Sequence, residues 1–317
     1  MRINNNIPAL NTHRMLGLTN NGLESVLEKL SSGKRINKAS DDAAGLAISQ
    51  KMQAQVKGLR QASRNSLDGI SLIQTAEGAL NEVHAMLQRM RELSVQGANG
   101  IYEKEDLEAI ANEMKELTEQ IDKIGRDTEF NGIPLLQGKL GEIEGEGEDA
   151  EPITKLRLQI GANKNQYIDI DMSKINVIAI EEGEDEGGLE ILGGIIVEDE
   201  EDEGEPDGED EKVIKFKVKD NLTTDDFNEA ITTYDNAVKA VASHRSQLGA
   251  YQNRLEHTIK NVDNTAENLT AAQSRIEDAD MALEMSEFVK LNILQQAGTS
   301  MLAQANQLPQ SVLQLLQ

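Results

Sequence analysis

The 317-residue sequence contains no cysteine and no tryptophan, and aromatic residues make up only 3% of it. The absence of cysteine excludes disulfide bonds and cysteine-ligated zinc, and it suits an extracellular protein that avoids stray thiols. A globular enzyme of this size usually holds more aromatic residues, whereas long helices packed through Leu, Ile, Val, Met and Ala need few. The chain has only five prolines, which also allows long uninterrupted helices.

Signals for a membrane span or a cleaved export signal are absent as well. Residues 1–6 show no charged segment followed by an apolar stretch, so no secretory signal peptide is predicted. The longest apolar run, residues 191–197, is too short to cross a bilayer, and no membrane partner is expected. By itself this pattern indicates a cytoplasmic protein, although an export route with an uncleaved signal would leave the same pattern.

Positive charge is scarce in the middle of the chain. Residues 140–212 contain 25 Asp and Glu against five Lys and Arg, so this block carries −20 of the total net charge of −25. The remaining −5 is spread over the two ends, which are therefore nearly neutral. No nucleic-acid partner is expected, because a phosphate backbone would be repelled by such a protein.

No arrangement of residues indicates catalysis or a cofactor. The four histidines (13, 84, 244 and 257) are scattered, and no His-Glu-x-x-His motif occurs. Residues 199–210 loosely follow a calcium-binding EF-hand loop, but glutamate is too long at the early ligand positions, so a solvated acidic loop is the better interpretation. We therefore predict no catalytic, cofactor-binding or metal site and no enzymatic activity.

Both ends of the chain carry apolar stripes at coiled-coil spacing. Near the N-terminus, leucines recur every seven residues at Leu16, Leu23 and Leu30. Near the C-terminus, a 3-4-3-4 spacing places eight residues on one stripe of a helix. These residues are Leu291, Leu294, Gly298, Met301, Ala305, Leu308, Val312 and Leu315. Each stripe alone would face water, so we predict that the two ends form a self-assembly surface.

Apolar periodicity predicts long helices along most of the chain. The first covers residues 4–30. The second begins at Ser40 as N-cap, with Asp41 and Asp42 in its first turn, and runs to about residue 96. A third, amphipathic helix ends at Gly125, and a last long helix starts at residue 223 or 224.

Residues within or between the predicted helices bear on whether these helices continue, bend or end. Residues 277–280 hold no Gly or Pro, so the last long helix is free to continue, with a bend, into the C-terminal stripe. Pro309 should kink or end that stripe just after Leu308. Gly69 and Gly78 lie inside the second helix, where each costs about 1 kcal/mol relative to alanine, and they suggest a close backbone neighbour.

The periodicity changes to two in the middle of the chain. Alternating apolar residues in 156–160 and 168–172 flank a Gly-Ala-Asn turn and predict a β-hairpin. Further short strands are predicted at residues 177–180, 190–197 and 212–218. Acidic, glycine-rich loops are predicted at residues 141–151, 181–188 and 198–211.

Eight blocks of this sequence resemble bacterial flagellin. In family order they are MRINNN (1–6), LSSGKRIN (30–37), ASDDAAGLAI (39–48), LQRMREL (87–93), FNG (130–132), LQIGAN (158–163), SRIEDAD (274–280) and LQQAGTSMLAQAN (294–306). They span roughly residues 1–172 and 220–317. The acidic middle resembles nothing known, which is usual for flagellins, whose middles vary most.

The pattern and the resemblance together imply a mainly α fold. We expect a long antiparallel helical rod or coiled coil built from both chain ends, with a small, acidic central region rich in β-hairpins. Residues 1–42 plus 278–317 would form a terminal coiled-coil domain in the filament core. Residues 43–180 plus 212–277 would form a helical rod domain with a β-hairpin, and residues 181–211 an acidic variable insert that faces outward.

The resemblance also implies the function. The chain would be a secreted structural subunit that polymerises into the bacterial flagellar filament for motility, through coiled-coil pairing of its N- and C-terminal helices. Its partners would be other flagellin subunits, an export chaperone covering the C-terminal helix, a filament cap protein and hook–filament junction proteins. Two alternatives stay open: a hook–filament junction protein of the same family, and a secreted adhesin or enzyme displayed by the acidic middle.

A host receptor is a further implied partner. Arg89, Leu93 and Glu113 match positions at which the family contacts the animal Toll-like receptor for flagellin. Packing between subunits is the structural alternative for these residues, and both roles are compatible.

Overall fold

The computed structural model describes residues 6–138, 155–172, 175–177, 195–198, 216–219 and 222–315. Five helices dominate these residues, and three short antiparallel strand pairs accompany them. The helices are α1 (Ile7–Ser32), α2 (Ala43–Gly97), α3 (Lys104–Asp127), α4 (Thr224–Glu277) and α5 (Met281–Leu315). The strands are β1 (Glu129–Phe130), β2 (Ile133–Pro134), β3 (Lys155–Gln159), β4 (Tyr167–Asp171), β5 (Ile196–Glu198) and β6 (Phe216–Val218). The predicted mainly α class is confirmed.

The chain divides into two compact units. The first, which we call the terminal unit, consists of Met1–Gly58 and Asn264–Gln317, and the second, the central unit, consists of Leu59–Asp263. The three-part division expected from the sequence stays a prediction. Ile195 and Ile196 lie within its outward-facing insert, yet both side chains are buried in the core of the central unit.

The first helix of the terminal unit has clear end signals. The Asn6 side chain accepts a hydrogen bond from the Ala9 backbone N–H at 3.2 Å, which satisfies one of the free donors of the first turn. At the other end Gly33 adopts φ 71°, and its N–H donates to the Lys29 carbonyl at 2.8 Å. The helix therefore lies where the heptad leucines predict it, with its start and its end displaced by a few residues.

The start of α2 differs from the prediction. Asp42, not Ser40, caps the helix, because its Oδ1 accepts a hydrogen bond from the Gly45 backbone N–H at 2.9 Å. Asp41 lies in the preceding loop, where its Oδ2 accepts from the backbone N–H groups of Asn37 and Lys38 at 3.1 and 2.9 Å. These backbone donors lower the pKa of the Asp41 carboxyl.

The long C-terminal helix is interrupted, although no glycine or proline marks the position. α4 ends at Glu277, Asp278 forms an isolated antiparallel bridge with Lys34, and α5 begins at Met281. Asp280 Oδ1 then accepts from the backbone N–H of Ala282 at 2.9 Å and so caps α5. The expectation of one continuous helix is wrong. Pro309 does not end the helix after Leu308, because α5 continues to Leu315; the alternative expectation, a kink, stays a prediction.

In the central unit α2 and α4 pack antiparallel. In successive contacts the residue number falls along α2 as it rises along α4, which is the order expected for antiparallel helices that lie side by side. Four pairs follow this order: Gly97 with Phe227, Arg91 with Asp235, Glu77 with Arg245, and Gly69 with Leu255. Between the helices lies a continuous apolar core that also includes residues of α3, such as Met114 and Ile121.

The predicted β-hairpin is confirmed. β3 pairs with β4 in antiparallel register from Lys155 opposite Asp171 to Gln159 opposite Tyr167. Ile168 and Ile170 alternate into the core, as the spacing predicts. Of the other predicted strands, 190–197 and 212–218 coincide in part with the antiparallel pair β5–β6. Residues 178–180, and the acidic tracts outside 195–198, lie outside the described residues.

The two glycines inside α2 have different surroundings. A Cβ atom on Gly69 would lie 2.5 Å from Leu158 Cδ1, so this glycine has a close neighbour, but the nearest atoms belong to side chains and not to the predicted backbone. A Cβ atom on Gly78 would meet nothing within 4 Å, so the expectation of a close neighbour is wrong there.

This difference provides a matched pair of substitutions. We expect Gly78→Ala to raise the free energy of unfolding by about 1 kcal/mol, because alanine favours the helix and the site is open. Gly69→Ala should raise the free energy of unfolding much less, because the Leu158 side chain must move aside. Chemical denaturation of both variants measures the difference, and equal gains would contradict the packing at Gly69.

Candidate functional site

The candidate site is the pair of helices at the two ends of the chain. α1 and α5 run antiparallel, and polar contacts join them along their length. These contacts are Asn6 Nδ2 to the Ala305 carbonyl at 2.8 Å, Gln295 Nε2 to Asn20 Oδ1 at 3.0 Å, and Lys29 Nζ to Glu284 Oε1 at 3.4 Å. The predicted pairing of the two chain ends therefore occurs within a single subunit.

Glycine lets the two helices approach closely at two points. A Cβ atom on Gly298 would lie 3.1 Å from Leu16 Cδ1, and one on Gly22 would lie 3.5 Å from Leu291 Cδ1. A leucine of each helix thus covers a glycine of the other. Small residues at such positions let helices approach closely and set their register.

The predicted stripe residues differ in exposure, with Ala305 buried and Gly298 half buried. Four leucines are half buried, namely Leu16, Leu23, Leu30 and Leu291, and Leu16 and Leu291 lie against glycines of the opposite helix. Leu294 and Met301 are exposed instead. The last three, Leu308, Val312 and Leu315, belong to α5, but their side chains lie outside the described residues. The self-assembly role of the whole set stays a prediction.

The helix pair leaves much apolar surface in water. In α1 only Val26 is buried, and among the described side chains of α5 only Ala305 is. Five large apolar side chains of α1 are exposed: Ile7, Leu10, Met15, Leu18 and Leu27. Large apolar side chains exposed in this number on one helix of a soluble protein indicate a binding surface.

One exposed row on α5 was not predicted from the sequence, apart from its last residue, Met301. Side chains at every fourth position form a ridge along the helix surface, which we call the outer ridge. It consists of Met281, Met285, Val289, Ile293, Ala297 and Met301, all of them exposed. Such a row winds about 40° around the helix per step, so a search for seven-residue repeats does not find it. The apolar residues at i+4 spacing were the available signal.

A buried carboxylate joins the two helix breaks of the terminal unit. Glu277, at the end of α4, is only 7% exposed. It forms an ion pair with Lys34, and it accepts hydrogen bonds from Ser49 Oγ and, at 3.0 Å, from Gln273 Nε2. The hydrogen bonds from Gln273, Lys34 and Ser49 lower the pKa of the Glu277 carboxyl to about 2.

Backbone hydrogen bonds reinforce this junction. The Arg35 N–H donates to the Glu277 carbonyl at 2.7 Å, and the Ala279 N–H donates to the Gly33 carbonyl at 3.0 Å. The Arg35 guanidinium also donates to the Ile276 carbonyl at 2.6 Å. The loop that follows α1 and the segment between α4 and α5 thus form one short antiparallel bridge, which sets where α5 begins.

The residues predicted to contact a receptor lie in the central unit. Arg89 and Glu113 meet on the surface, with Arg89 Nη2 2.9 Å from Glu113 Oε1, and each side chain is about half exposed. This ion pair raises the pKa of the Arg89 guanidinium. Leu93 is only 2% exposed and packs in the core between the helices. Of the three residues, only Arg89 and Glu113 are therefore accessible on the subunit.

Neither a membrane span nor a metal site is seen in the described part of the chain. None of its described helices combines the length and apolarity that a membrane span requires. No group of three or more His, Cys, Asp or Glu side chains is placed there to hold a metal ion.

Comparison with known proteins matches both helical ends. Residues 3–140 match the family described as "Bacterial flagellin N-terminal helical region", and residues 231–316 match "Bacterial flagellin C-terminal helical region". The chain is 50% identical to a flagellin of Bacillus subtilis and 48% identical to a flagellin of Halalkalibacterium halodurans. Both alignments cover 100% of this chain and 100% of the relative.

The solved structures give a likeness of fold. A protein of Vibrio parahaemolyticus described as flagellar hook-associated superposes with a TM-score of 0.54 over 75% of this chain and 100% of that one. The two sequences are only 14% identical, so this likeness concerns the fold alone.

Proposed function

Because this chain belongs to the bacterial flagellin family, we propose that its paired terminal helices join it to neighbouring copies in the flagellar filament. The chain is a structural subunit of that extracellular filament and serves motility, and the family is not one of enzymes. The observation that carries the proposal is the exposed apolar surface of α1 and α5, which one subunit cannot cover.

The assembly role is supported by a comparison of apolar and charged contacts on the terminal helices. Burying one exposed Leu, Ile or Met contributes roughly 1.5–3 kcal/mol, whereas an exposed ion pair contributes at most about 1 kcal/mol. Both terminal helices carry rows of such apolar side chains, while most of the net charge lies in residues 140–212. Contacts through the ends therefore bring together surfaces that are apolar and carry little of the net charge.

Polymerisation of the purified chain tests the function. We expect short filament seeds or a precipitating salt to produce long filaments that are visible by electron microscopy. A hook–filament junction protein would not elongate without limit, so the same experiment tests that alternative. Identity of 48–50% to flagellins over the full length supports the filament subunit, and no observation favours the junction protein. Failure to elongate from homologous seeds would contradict the proposal.

We further propose three flagellar partners for the terminal helices. An export chaperone would cover α5 before assembly, since its outer ridge is the kind of surface that must be shielded in an unassembled subunit. A cap protein would guide the folding of each subunit at the filament tip. Hook–filament junction proteins would offer the first subunits a matching pair of terminal helices.

We also propose that Arg89 and Glu113 contact the host Toll-like receptor for flagellin. Both side chains are half exposed, and arginine is frequent among residues that dominate binding energies. Leu93 would act from beneath by supporting the helix surface, because it is buried.

Substitution of Arg89 tests this proposal. We expect Arg89→Ala to weaken receptor signalling by monomeric protein about tenfold or more, equivalent to at least 1.4 kcal/mol of binding energy. Its unfolding free energy should change by less than about 1 kcal/mol, because exposed ion pairs stabilise little. Lys239→Ala, which removes another exposed ion pair, to Asp235, is the matched control. An unchanged signal from Arg89→Ala would refute the contact.

A further inference from the structure

The nine methionines among the described residues differ in exposure. Four are exposed and belong to α1 and α5: Met301 (61% exposed), Met15 (57%), Met285 (49%) and Met281 (47%). Three are buried in the central unit: Met90 (0%), Met114 (0%) and Met172 (1%). Met52 and Met86 are half buried. Among the described residues, every exposed methionine therefore lies on the apolar surface of the terminal helices.

Methionine is also the side chain of this protein that is most easily oxidised. The chain has no cysteine and no tryptophan, which would otherwise react with peroxide or with stronger oxidants. Susceptibility follows exposure, so oxidation should concentrate on α1 and α5. Three of the four exposed methionines, Met281, Met285 and Met301, belong to the outer ridge.

We propose that Met15, Met281, Met285 and Met301 form an oxidation site that switches assembly off when a peroxide converts them to sulfoxides. This inference rests on the proposed role of the terminal helices in assembly. In each reaction the sulfur loses two electrons and forms a bond to one peroxide oxygen. The O–O bond breaks, and the other oxygen leaves as water when the oxidant is hydrogen peroxide.

The change in polarity explains the effect on assembly. A thioether is apolar and adapts its shape to an irregular partner surface, whereas a sulfoxide carries a strong dipole that seeks water or a hydrogen-bond donor. Burial of this dipole between subunits without a donor is unfavourable. Because a sulfoxide can be reduced enzymatically to methionine, the switch is reversible. Subunits already in a filament are protected to the extent that their neighbours cover these side chains.

The first measurement maps where oxidation occurs. Monomeric protein is treated with graded hydrogen peroxide, and the sulfoxide at each methionine is followed by peptide mass spectrometry. We expect the four exposed methionines to react roughly tenfold or more faster than Met90, Met114 and Met172. In filaments the same four should react more slowly than in monomers. Equal rates at exposed and buried positions in the monomer would overturn the proposed site.

The second measurement tests the switch. Peroxide-treated protein should need a roughly tenfold or higher concentration to polymerise, and treatment with methionine sulfoxide reductase should restore the original value. A variant combining Met15→Leu, Met281→Leu, Met285→Leu and Met301→Leu keeps apolar side chains of similar volume. Whatever concentration this variant needs to polymerise, that concentration should be the same before and after peroxide. The matched control, Met52→Leu with Met86→Leu, should remain sensitive.

The possible failures are distinguishable. If untreated wild-type protein does not polymerise, the proposed function is wrong, while the oxidation rates of the monomer still decide whether the site exists. If wild-type protein polymerises normally with all four methionines oxidised, or if the control variant is protected as well, the switch is refuted. If the fourfold variant does not polymerise even untreated, the reductase experiment on wild-type protein tests the switch. Restored polymerisation of the oxidised wild-type protein supports it, and no restoration refutes it.

Discussion

Deletion of residues 281–317 will leave a soluble subunit that no longer forms filaments. The deletion removes the whole of α5, including the outer ridge, Leu291, which covers Gly22 of α1, and Gly298, against which Leu16 packs. The five larger apolar residues of the ridge would together contribute on the order of 10 kcal/mol if they were buried between subunits. Each 1.4 kcal/mol changes an association constant tenfold, so no attainable concentration compensates for the loss.

The truncated protein should retain the central unit. Its core, from Leu72 to Leu255, involves no residue of α5. Circular dichroism should therefore show a cooperative unfolding transition, while α1, which loses its partner, becomes largely unfolded because isolated helices are marginal in water. Sedimentation and electron microscopy give the assembly state. Filaments of normal length from the truncated protein would refute assembly through the terminal helices.

A deletion in the acidic segment is the matched control. β5 ends at Glu198 and β6 starts at Phe216, so removing residues 199–211 leaves four residues, 212–215, to join the two strands. Loops of two to five residues are common between antiparallel strands, and Ile195 and Ile196 stay in the core. We expect this variant to form filaments. Loss of assembly would give the acidic segment a structural role.

The sequence predicted the helices and the hairpin because their periodic patterns are local. Val241, Leu248 and Leu255 are spaced seven residues apart, and all three are buried as expected. The break after Glu277 could not be predicted in this way, because it depends on Lys34, which is distant in sequence and pairs with Asp278. The N-cap of α2 was predicted two residues too early for a local reason. Serine and aspartate are equally good capping residues, and both occur within residues 40–42.

The candidate site was predictable to a similar extent. The seven-residue spacing indicated which helices pair, and α1 and α5 do pair in the structure. Spacing alone did not show which face each side chain occupies, so Leu294 and Met301 were assigned to the same stripe as Leu291 although they are exposed. Glu277 was not singled out, because one glutamate among 56 acidic residues carries no local signal.

Substitution of Glu277 should strongly destabilise the terminal unit, because this residue connects the two helix breaks. We expect Glu277→Ala to lower the unfolding free energy of this unit by about 2–3 kcal/mol, because Lys34, Ser49 and Gln273 lose a buried charged acceptor. The ion pair accounts for the smaller part, since the Lys34 side chain is 45% exposed and therefore screened by solvent. Glu287→Gln, at an exposed pair with Lys290, is the control and should change stability by less than about 0.5 kcal/mol.

The same carboxylate makes the stability of the terminal unit depend on pH. The pKa of Glu277 is about 2 in the folded chain, below the ordinary value of 4.5, so the folded state binds its proton less readily than the unfolded state does. The stabilisation from Glu277 is therefore fully present above about pH 4.5 and is lost as the pH falls from there through about 2. Acid titration of the α-helical signal and of filament length should show wild-type protein losing stability across this window. Glutamine carries no charge at any pH, so Glu277→Gln lacks this stabilisation throughout. The stability difference between wild type and variant should therefore shrink as the pH falls. A difference that stays constant between pH 7 and pH 2 would show that the charge of Glu277 does not hold the junction.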